Sequence, residues 1–159
     1  MEEEVELSKT CAPCSVHLSR DSLLDNFCAS EFVLRMKIKK IKVLKSGDKH
    51  KMIRELHAPK KRRYVYKKGP LGKKDLKKKS LKFQLAGGKA CDCPQVDDLL
   101  SSGKKSKKAM KKQYVVMGRK VGRKLVITAI HTWNKRNKIL NALKAKDYAS
   151  SACVGSLNL

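Results

Sequence analysis

The sequence predicts a mainly β fold, a small antiparallel barrel or sandwich with a helix near each end, cross-linked through cysteine. Three observations predict it. Short runs of apolar–polar alternation recur between turn signals, the pattern of half-buried antiparallel strands. Helical periodicity shows only toward the two ends. Six cysteines are spread along 159 residues: Cys11 with Cys14, Cys91 with Cys93, and Cys28 and Cys153 apart. A chain of this length is one domain and buries roughly 70% of its unfolded surface.

The elements follow in order. Residues 1–10 read as a flexible acidic lead containing Glu2, Glu3, Glu4 and Glu6. The stretch 19–28 reads as a short helix, capped by Ser19 or Asp21, with Leu23, Leu24 and Phe27 on one face. Phe32, Leu34, Met36 and Ile38 then alternate with Arg35, Lys37 and Lys39, which predicts a strand. At Lys40–Ile41 the phase flips, and Ile41 and Val43 carry it on, which predicts a bulge or a sharp bend. Ser46-Gly47-Asp48 is a turn, and a weaker strand follows at about 50–57. Tyr64–Tyr66 is a strand broken by Gly69-Pro70, and 73–79 is a Lys-rich turn or short helix. Ser80–Leu85 alternates again and ends at Gly87-Gly88. Residues 101–112 have almost no apolar content and read as a basic, disordered loop. Tyr114–Met117 is a strand and Gly118–Arg123 a turn. Lys124–Trp133 is the strongest strand, with Val126, Thr128, Ile130 and Thr132 β-branched. From Asn134 to about Lys146 the period is helical, with Ile139, Leu140 and Leu143 on one side. The domain is expected over 11–153, with a loose tail at 154–159.

No catalytic constellation is visible. His17, His50, His57 and His131 stand in no metal-binding or nucleophile motif, and His131 reads as a surface or boundary residue. No cofactor is implied. No apolar run approaches the length of a membrane span. The acidic start lacks the apolar stretch of a signal peptide, so the chain is expected to be either intracellular or cut from a larger secreted precursor.

Charge is the strongest functional signal. Lys and Arg total 39 against 14 for Asp and Glu, a net charge of +25. A single basic run is ordinarily a solvated face, but runs recur along the whole chain, and such a field attracts polyanions. The polyanion could be nucleic acid, an anionic membrane or a sulfated polysaccharide. Tyr64, Tyr66 and Tyr114 are the nearest candidates for base stacking, and as strand residues they read as core. That argues against single-strand nucleic-acid readout and places sulfated polysaccharide ahead. The expected contacts are Lys60, Lys61, Arg62, Arg63, Lys104, Lys105, Lys107, Lys108, Lys111 and Lys112, followed by Arg119, Lys120, Arg123 and Lys124.

The cysteines admit two readings. Cys11, Cys14, Cys91 and Cys93 could ligate zinc in an intracellular nucleic-acid-binding protein, or all six could form disulfides in a secreted domain. Cys-x-Cys is tighter than a usual zinc knuckle and the two pairs lie far apart, which favours disulfides. Spacing alone does not choose among the fifteen pairings that six cysteines allow.

CAPC, CASEFVLRMKIKKIK, GPLGKKDLKK, CDCPQVDDL, YVVMGRKV and LVITAIHTWNKRNK occur in that order. Together they resemble the netrin-like domain of secreted frizzled-related proteins, nearest to the branch of types 1 and 5, with a Sizzled-like relative as a neighbour. The resemblance covers roughly residues 11–147. It implies an OB-like five-stranded barrel with flanking helices, secretion, and the pairs Cys11–Cys91, Cys14–Cys93 and Cys28–Cys153. It also implies a non-enzymatic function as an extracellular Wnt-binding antagonist, with Wnt proteins and frizzled receptors as partners. Composition adds heparin or heparan sulfate, and with it retention at the matrix or cell surface. The alternative that the fold implies is inhibition of tolloid-type metalloproteinases. The related tissue inhibitors chelate the protease zinc through an N-terminal cysteine, whereas ten residues precede Cys11. Two departures stand out. The frizzled-like cysteine-rich domain is absent from the chain, and the segment SSGKKSKKAMKK looks inserted relative to the family pattern.

Overall fold

The alternation at Phe32–Ile38 becomes a strand that turns the corner of a barrel. In the computed structural model, which describes residues 10–45, 52–60, 63–86, 91–101, 103–144 and 153, β1 is Phe32–Lys37 and β2 is Lys40–Lys45. Only Ile38 and Lys39 part them, two residues ahead of the phase flip in the sequence. The other strands are β3 (Met52–Pro59), β4 (Tyr64–Lys67), β5 (Ser80–Ala86), β6 (Gln113–Val121) and β7 (Lys124–Thr132). The helices are α1 (Arg20–Ala29), α2 (Lys73–Lys77), α3 (Lys104–Lys111) and α4 (Lys138–Asn141).

Hydrogen bonding orders the strands β2-β3-β5-β7-β6-β1-β4. Because β1, next to the β4 end of this order, runs directly into β2 at the other end, the sheet closes through β1. Taken as one bent strand, β1/β2 joins β3, β5, β7 and β6 in a five-stranded circuit. β5 meets β7 in parallel at Gln84 and Val126, while the other pairings among these strands are antiparallel. That is the topology of an OB-like barrel. β4 is an addition, pairing on the open side of β1.

The barrel is filled by one side of each strand. Phe32, Leu34, Met36 and Ile38 point inward with Leu56, Phe83, Tyr114, Val116, Leu125, Ile127 and Ile130, and all are buried. Each such aliphatic side chain contributes about 1.5–3 kcal/mol on burial. The opposite side of β1, β6 and β7 makes a second core. There Val33, Val115, Met117 and Ala129 pack under Leu23 and Phe27 of α1 and under Leu140 and Leu143. The register shifts at Met117/Gly118, so that Ile127 and Ile130 can both face the barrel interior while Ala129 faces the helices. Gly118 belongs to this irregularity. A Cβ there would lie 2.2 Å from the Val126 carbonyl oxygen and 2.6 Å from the Phe32 ring. The expected turn at Gly118–Arg123 is therefore shorter than predicted: β6 runs to Val121, and the turn is centred on Gly122, whose φ is +63°.

α1 starts as its sequence predicts. The Ser19 hydroxyl accepts from the Ser22 amide at 3.1 Å, and the Ser22 hydroxyl accepts from the Ser19 amide at 2.8 Å, a reciprocal cap. Its last carbonyls are met from a distance. Lys67 Nζ on β4 donates to the carbonyl oxygens of Phe27 (2.9 Å), Cys28 (3.3 Å) and Ser30 (2.6 Å), where a cation also complements the helix dipole.

The stretch 101–112, expected to be a disordered loop, contains helix α3. Lys, Ala and Met are good helix formers even without an apolar stripe. One small residue suffices as an anchor: Ala109 is buried, and the buried Tyr114 hydroxyl donates to its carbonyl at 3.1 Å. The C-terminal helix is shorter than its periodicity. Asn137 caps α4, which passes into a tight turn at Ala142–Lys144. Of the expected lead at 1–10, residues 1–9 lie outside the described residues, as do the turns at Ser46-Gly47-Asp48 and Gly87-Gly88 and the tail at 154–159, while Thr10 pairs with Asp92.

Disulfides join Cys11 to Cys91, Cys14 to Cys93 and Cys28 to Cys153. The first two pairs are buried in the barrel core, and the third packs on the outer core. With sequence separations of 80, 79 and 125, each is worth about 4–5 kcal/mol in the chain-entropy view. A sulfur held in a disulfide is not a thiolate ligand, so this pairing uses the atoms that the zinc reading requires.

Candidate polyanion-binding surface

The hairpin β6–β7 carries basic residues at both of its ends, and a cleft opens beside each. At the turn end, Lys120 and Arg123 face Lys78 and Lys82 across a cleft of about 560 Å³. Lys78 Nζ lies 3.5 Å from a carboxylate oxygen of Asp75, which also lines the cleft. An exposed pair of this kind is worth less than about 1 kcal/mol, so Lys78 is readily exchanged to an anionic ligand. Glu31 fixes the hairpin here, its carboxylate accepting from the Lys120 amide at 2.7 Å.

At the other end, Lys37, Lys111, Lys112 and Lys135 line a cleft of about 550 Å³ with Gln113, Thr132, Trp133 and Asn134. No carboxylate lines it among the described residues. Seven residues of β6 separate Gln113 from Lys120, which sets the two clefts roughly 24 Å apart along the strand.

Trp133 belongs to an arrangement that the sequence did not announce. The Arg35 guanidinium lies 4.1 Å from the Tyr64 ring centre and 4.3 Å from that of Trp133, with Tyr66 at 6.0 Å. Lys144 Nζ lies 5.5 Å from the same Trp133 ring. Cations over aromatic faces are each worth about 0.5–2 kcal/mol. Tyr64 is exposed, contrary to its reading as core, and Tyr114 is wholly buried. Burial pushes the Tyr114 hydroxyl up to about 12. The three tyrosines therefore offer no row of free faces for stacking bases.

The sequence-predicted contacts separate into groups. Lys111 and Lys112 line one cleft, and Lys120 and Arg123 line the other. Lys104, Lys105, Lys107 and Lys108 are exposed on α3, and Arg119 and Lys124 are exposed near the hairpin turn. Lys60 is exposed at the end of β3, while Lys61 and Arg62 lie outside the described residues. Arg63 is a correction. Its guanidinium turns inward and donates to the carbonyl oxygens of Ala58 and Leu76, both at 3.1 Å. Burial lowers its pKa, and it serves as a clamp between β3 and α2. Lys37, Lys78, Lys82 and Lys135 line the clefts but were not predicted. Each sits alone or in a different run, and only the fold brings them beside the predicted ones.

His57 and His131 are inward-facing, while His17 is exposed. His57 is buried beside Glu55, with Nε2 2.7 Å from its carboxylate. Its pKa is lowered, mainly by burial, against the raising effect of Glu55. His131, read from sequence as a surface or boundary residue, is buried near the C-terminal end of β7, and burial lowers its pKa as well. Arg54 reaches Asp97 at 3.3 Å next to Cys11. The Cys11 amide donates to the Asp92 carbonyl at 2.8 Å, and Thr10 bridges to Asp92.

No protein-family model matches the chain. Individual proteins do. Over 132 residues it is 39% identical to secreted frizzled-related protein 5 of Mus musculus, covering 83% of this chain and 36% of that protein. Over 128 residues it is 41% identical to secreted frizzled-related protein 1 of Homo sapiens, covering 80% of this chain and 34% of that protein. With secreted frizzled-related protein 1 of Rattus norvegicus the identity is 40%, and the coverage is 80% of this chain and 68% of that sequence. The chain belongs to the secreted frizzled-related protein family. It spans about a third of the length of the first two relatives. By name these relatives of the frizzled-related chain are secreted, and none of its described helices is long and apolar enough to cross a membrane. The three disulfides suit an oxidising compartment. In this frizzled-related module Cys11 is tied into the fold by its amide and continues into Thr10, so it does not present the free terminal amine that the tissue-inhibitor mechanism uses.

Proposed function

We propose that this chain is an extracellular binding module that antagonises Wnt signalling and is retained by heparin-like polysaccharide through its basic clefts. Membership of the secreted frizzled-related family is the observation that carries the Wnt reading. The two cation-lined clefts and the net charge of +25 support the polysaccharide reading. Binding, and not catalysis, is the mode of action. Wnt proteins, and frizzled receptors beside them, are the protein partners, and matrix or cell-surface polysaccharide is the anchor.

The test is binding of the chain to a purified Wnt over a salt series, with and without excess heparin. For phosphate- or sulfate-dominated binding, the logarithm of the affinity falls linearly with the logarithm of salt, with a slope that counts the ion contacts. Wnt binding that survives heparin and moderate salt supports a specific protein surface on this chain. Wnt binding abolished by heparin with a steep salt slope restricts the chain to polysaccharide anchoring.

A further inference from the structure

The two basic clefts are not equivalent. The cleft at the β6–β7 turn has a carboxylate in its wall, Asp75, already near Lys78. The cleft at the other end is lined by four lysines and by Trp133, and the described residues put no acid in its lining. We infer that this second cleft, built by Lys37, Lys111, Lys112, Lys135 and Trp133, is the specific subsite for a sulfated saccharide, with the ammonium groups taking sulfates and the indole taking a sugar ring. The inference rests on the polysaccharide reading above and assigns it to one place.

The chemistry of each part argues for that ligand. An aromatic face carries partial negative charge, and the C–H side of a pyranose ring, which is weakly positive, can lie on it. A sulfated chain repeats a ring and an anion together, and the cleft repeats a ring and cations together. Trp133 is also held in place. Arg35 and Lys144 contact it at 4.3 and 5.5 Å, so little ordering is needed on binding. Two of the four cations come from the end of α3, the segment that looks inserted relative to the family pattern. Its lysines, spaced three and four apart with no acid between them, repel one another. An anion bound at Lys111 and Lys112 relieves that repulsion. A single-stranded nucleic acid would need several successive stacking faces, whereas this cleft offers one.

Trp133 is the single tryptophan of the chain, so intrinsic fluorescence reads this cleft alone. The experiment titrates a size-defined, fully sulfated heparin oligosaccharide into the intact protein at moderate salt, following Trp133 emission and, in parallel, calorimetric binding. The expected result is a saturable emission change whose midpoint matches the calorimetric one. Lys111→Gln with Lys112→Gln should weaken that midpoint by about tenfold, the scale of two lost ionic contacts. Lys120→Gln with Arg123→Gln should move it by about twofold or less, since those charges lie beyond a Debye length. All four side chains are exposed, and circular dichroism checks that the variants stay folded. Calorimetric binding without an emission change, or an emission change governed by Lys120 and Arg123, overturns this subsite and leaves the polysaccharide reading standing. No binding of heparin by either readout overturns both. An oligonucleotide of equal charge that shifts the emission as strongly as heparin does overturns the assignment to sulfated saccharide.

Discussion

At the scale of single residues, the basic character of this chain hides two different employments of charge. Lys120 and Arg123 stand open in a cleft, but Arg63 and Lys67 are used by the fold. Lys67 shows how much one cation can do. Its ammonium satisfies three carbonyl groups at the end of α1 and lies 5.4 Å from the Phe27 ring centre. Burial lowers its pKa, yet three carbonyl acceptors hold the charged form in place. Lys67→Met keeps the length and removes the donors. It should destabilise the protein by about 2–4 kcal/mol, since carbonyls left without partners cost about 1–3 kcal/mol each before water reaches some of them. Equilibrium urea unfolding measures this. An exposed lysine such as Lys104, changed the same way, should cost less than about 0.5 kcal/mol. Equal losses at the two positions would show that Lys67 acts only through net charge.

At the scale of elements, what was legible depended on whether the signal was local. The alternation of β1, β5 and β7 read directly from sequence, and the flip near Lys40 marked the bend that closes the barrel. The reciprocal cap of α1 was half legible, since Ser19 was a candidate and Ser22 was not. α3 was misread because its anchor is one alanine and a hydroxyl contributed by Tyr114, beyond the helix itself. Gly118 was misread because glycine marks turns and close approaches alike, and only the neighbouring strand shows which applies. The hairpin provides a matched comparison. Gly118→Ala places a methyl against the Val126 carbonyl and the Phe32 ring, where the neighbours are backbone and core. It should cost at least about 2–3 kcal/mol, the upper range of overpacking. At Gly122 an added Cβ meets nothing within 4 Å. Its φ of +63° alone makes Gly122→Ala cost about 1–2 kcal/mol. Thermal unfolding of the two variants checks the order, and a reversed order would mean that the bulge yields more easily than the turn.

At the scale of the whole molecule, two cores share one sheet, and the disulfides divide between them. The candidate site was less legible than the fold for the same reason: runs of lysine are visible in sequence, but Lys37 and Lys135 reach Lys111 only through the pairing of β1, β6 and β7. The disulfide pairs Cys11–Cys91 and Cys14–Cys93 bring the N-terminal turn against the segment after β5, inside the barrel core. Cys28–Cys153 instead ties the C-terminal region to α1 over the outer core. Loop entropy makes the longer outer loop worth slightly more, by only a few tenths of a kcal/mol. Burial works the other way. Cys93 is fully buried and Cys14 nearly so, at 7% exposure, whereas Cys28 is half-buried. Replacing both members of the Cys14–Cys93 pair with alanine therefore removes packed sulfur from the barrel in addition to the cross-link, a further loss of about 1–2 kcal/mol. The variant lacking Cys14–Cys93 should unfold at lower denaturant than the one lacking Cys28–Cys153. The latter should also keep its turn-end cleft, because the residues that line it, Lys120 and Arg123 among them, do not pack on the outer core, whereas Trp133 of the other cleft does. If removing Cys28–Cys153 costs more stability than removing Cys14–Cys93, the outer core and not the barrel limits unfolding, and the helices α1 and α4 would then be the structure on which the clefts depend.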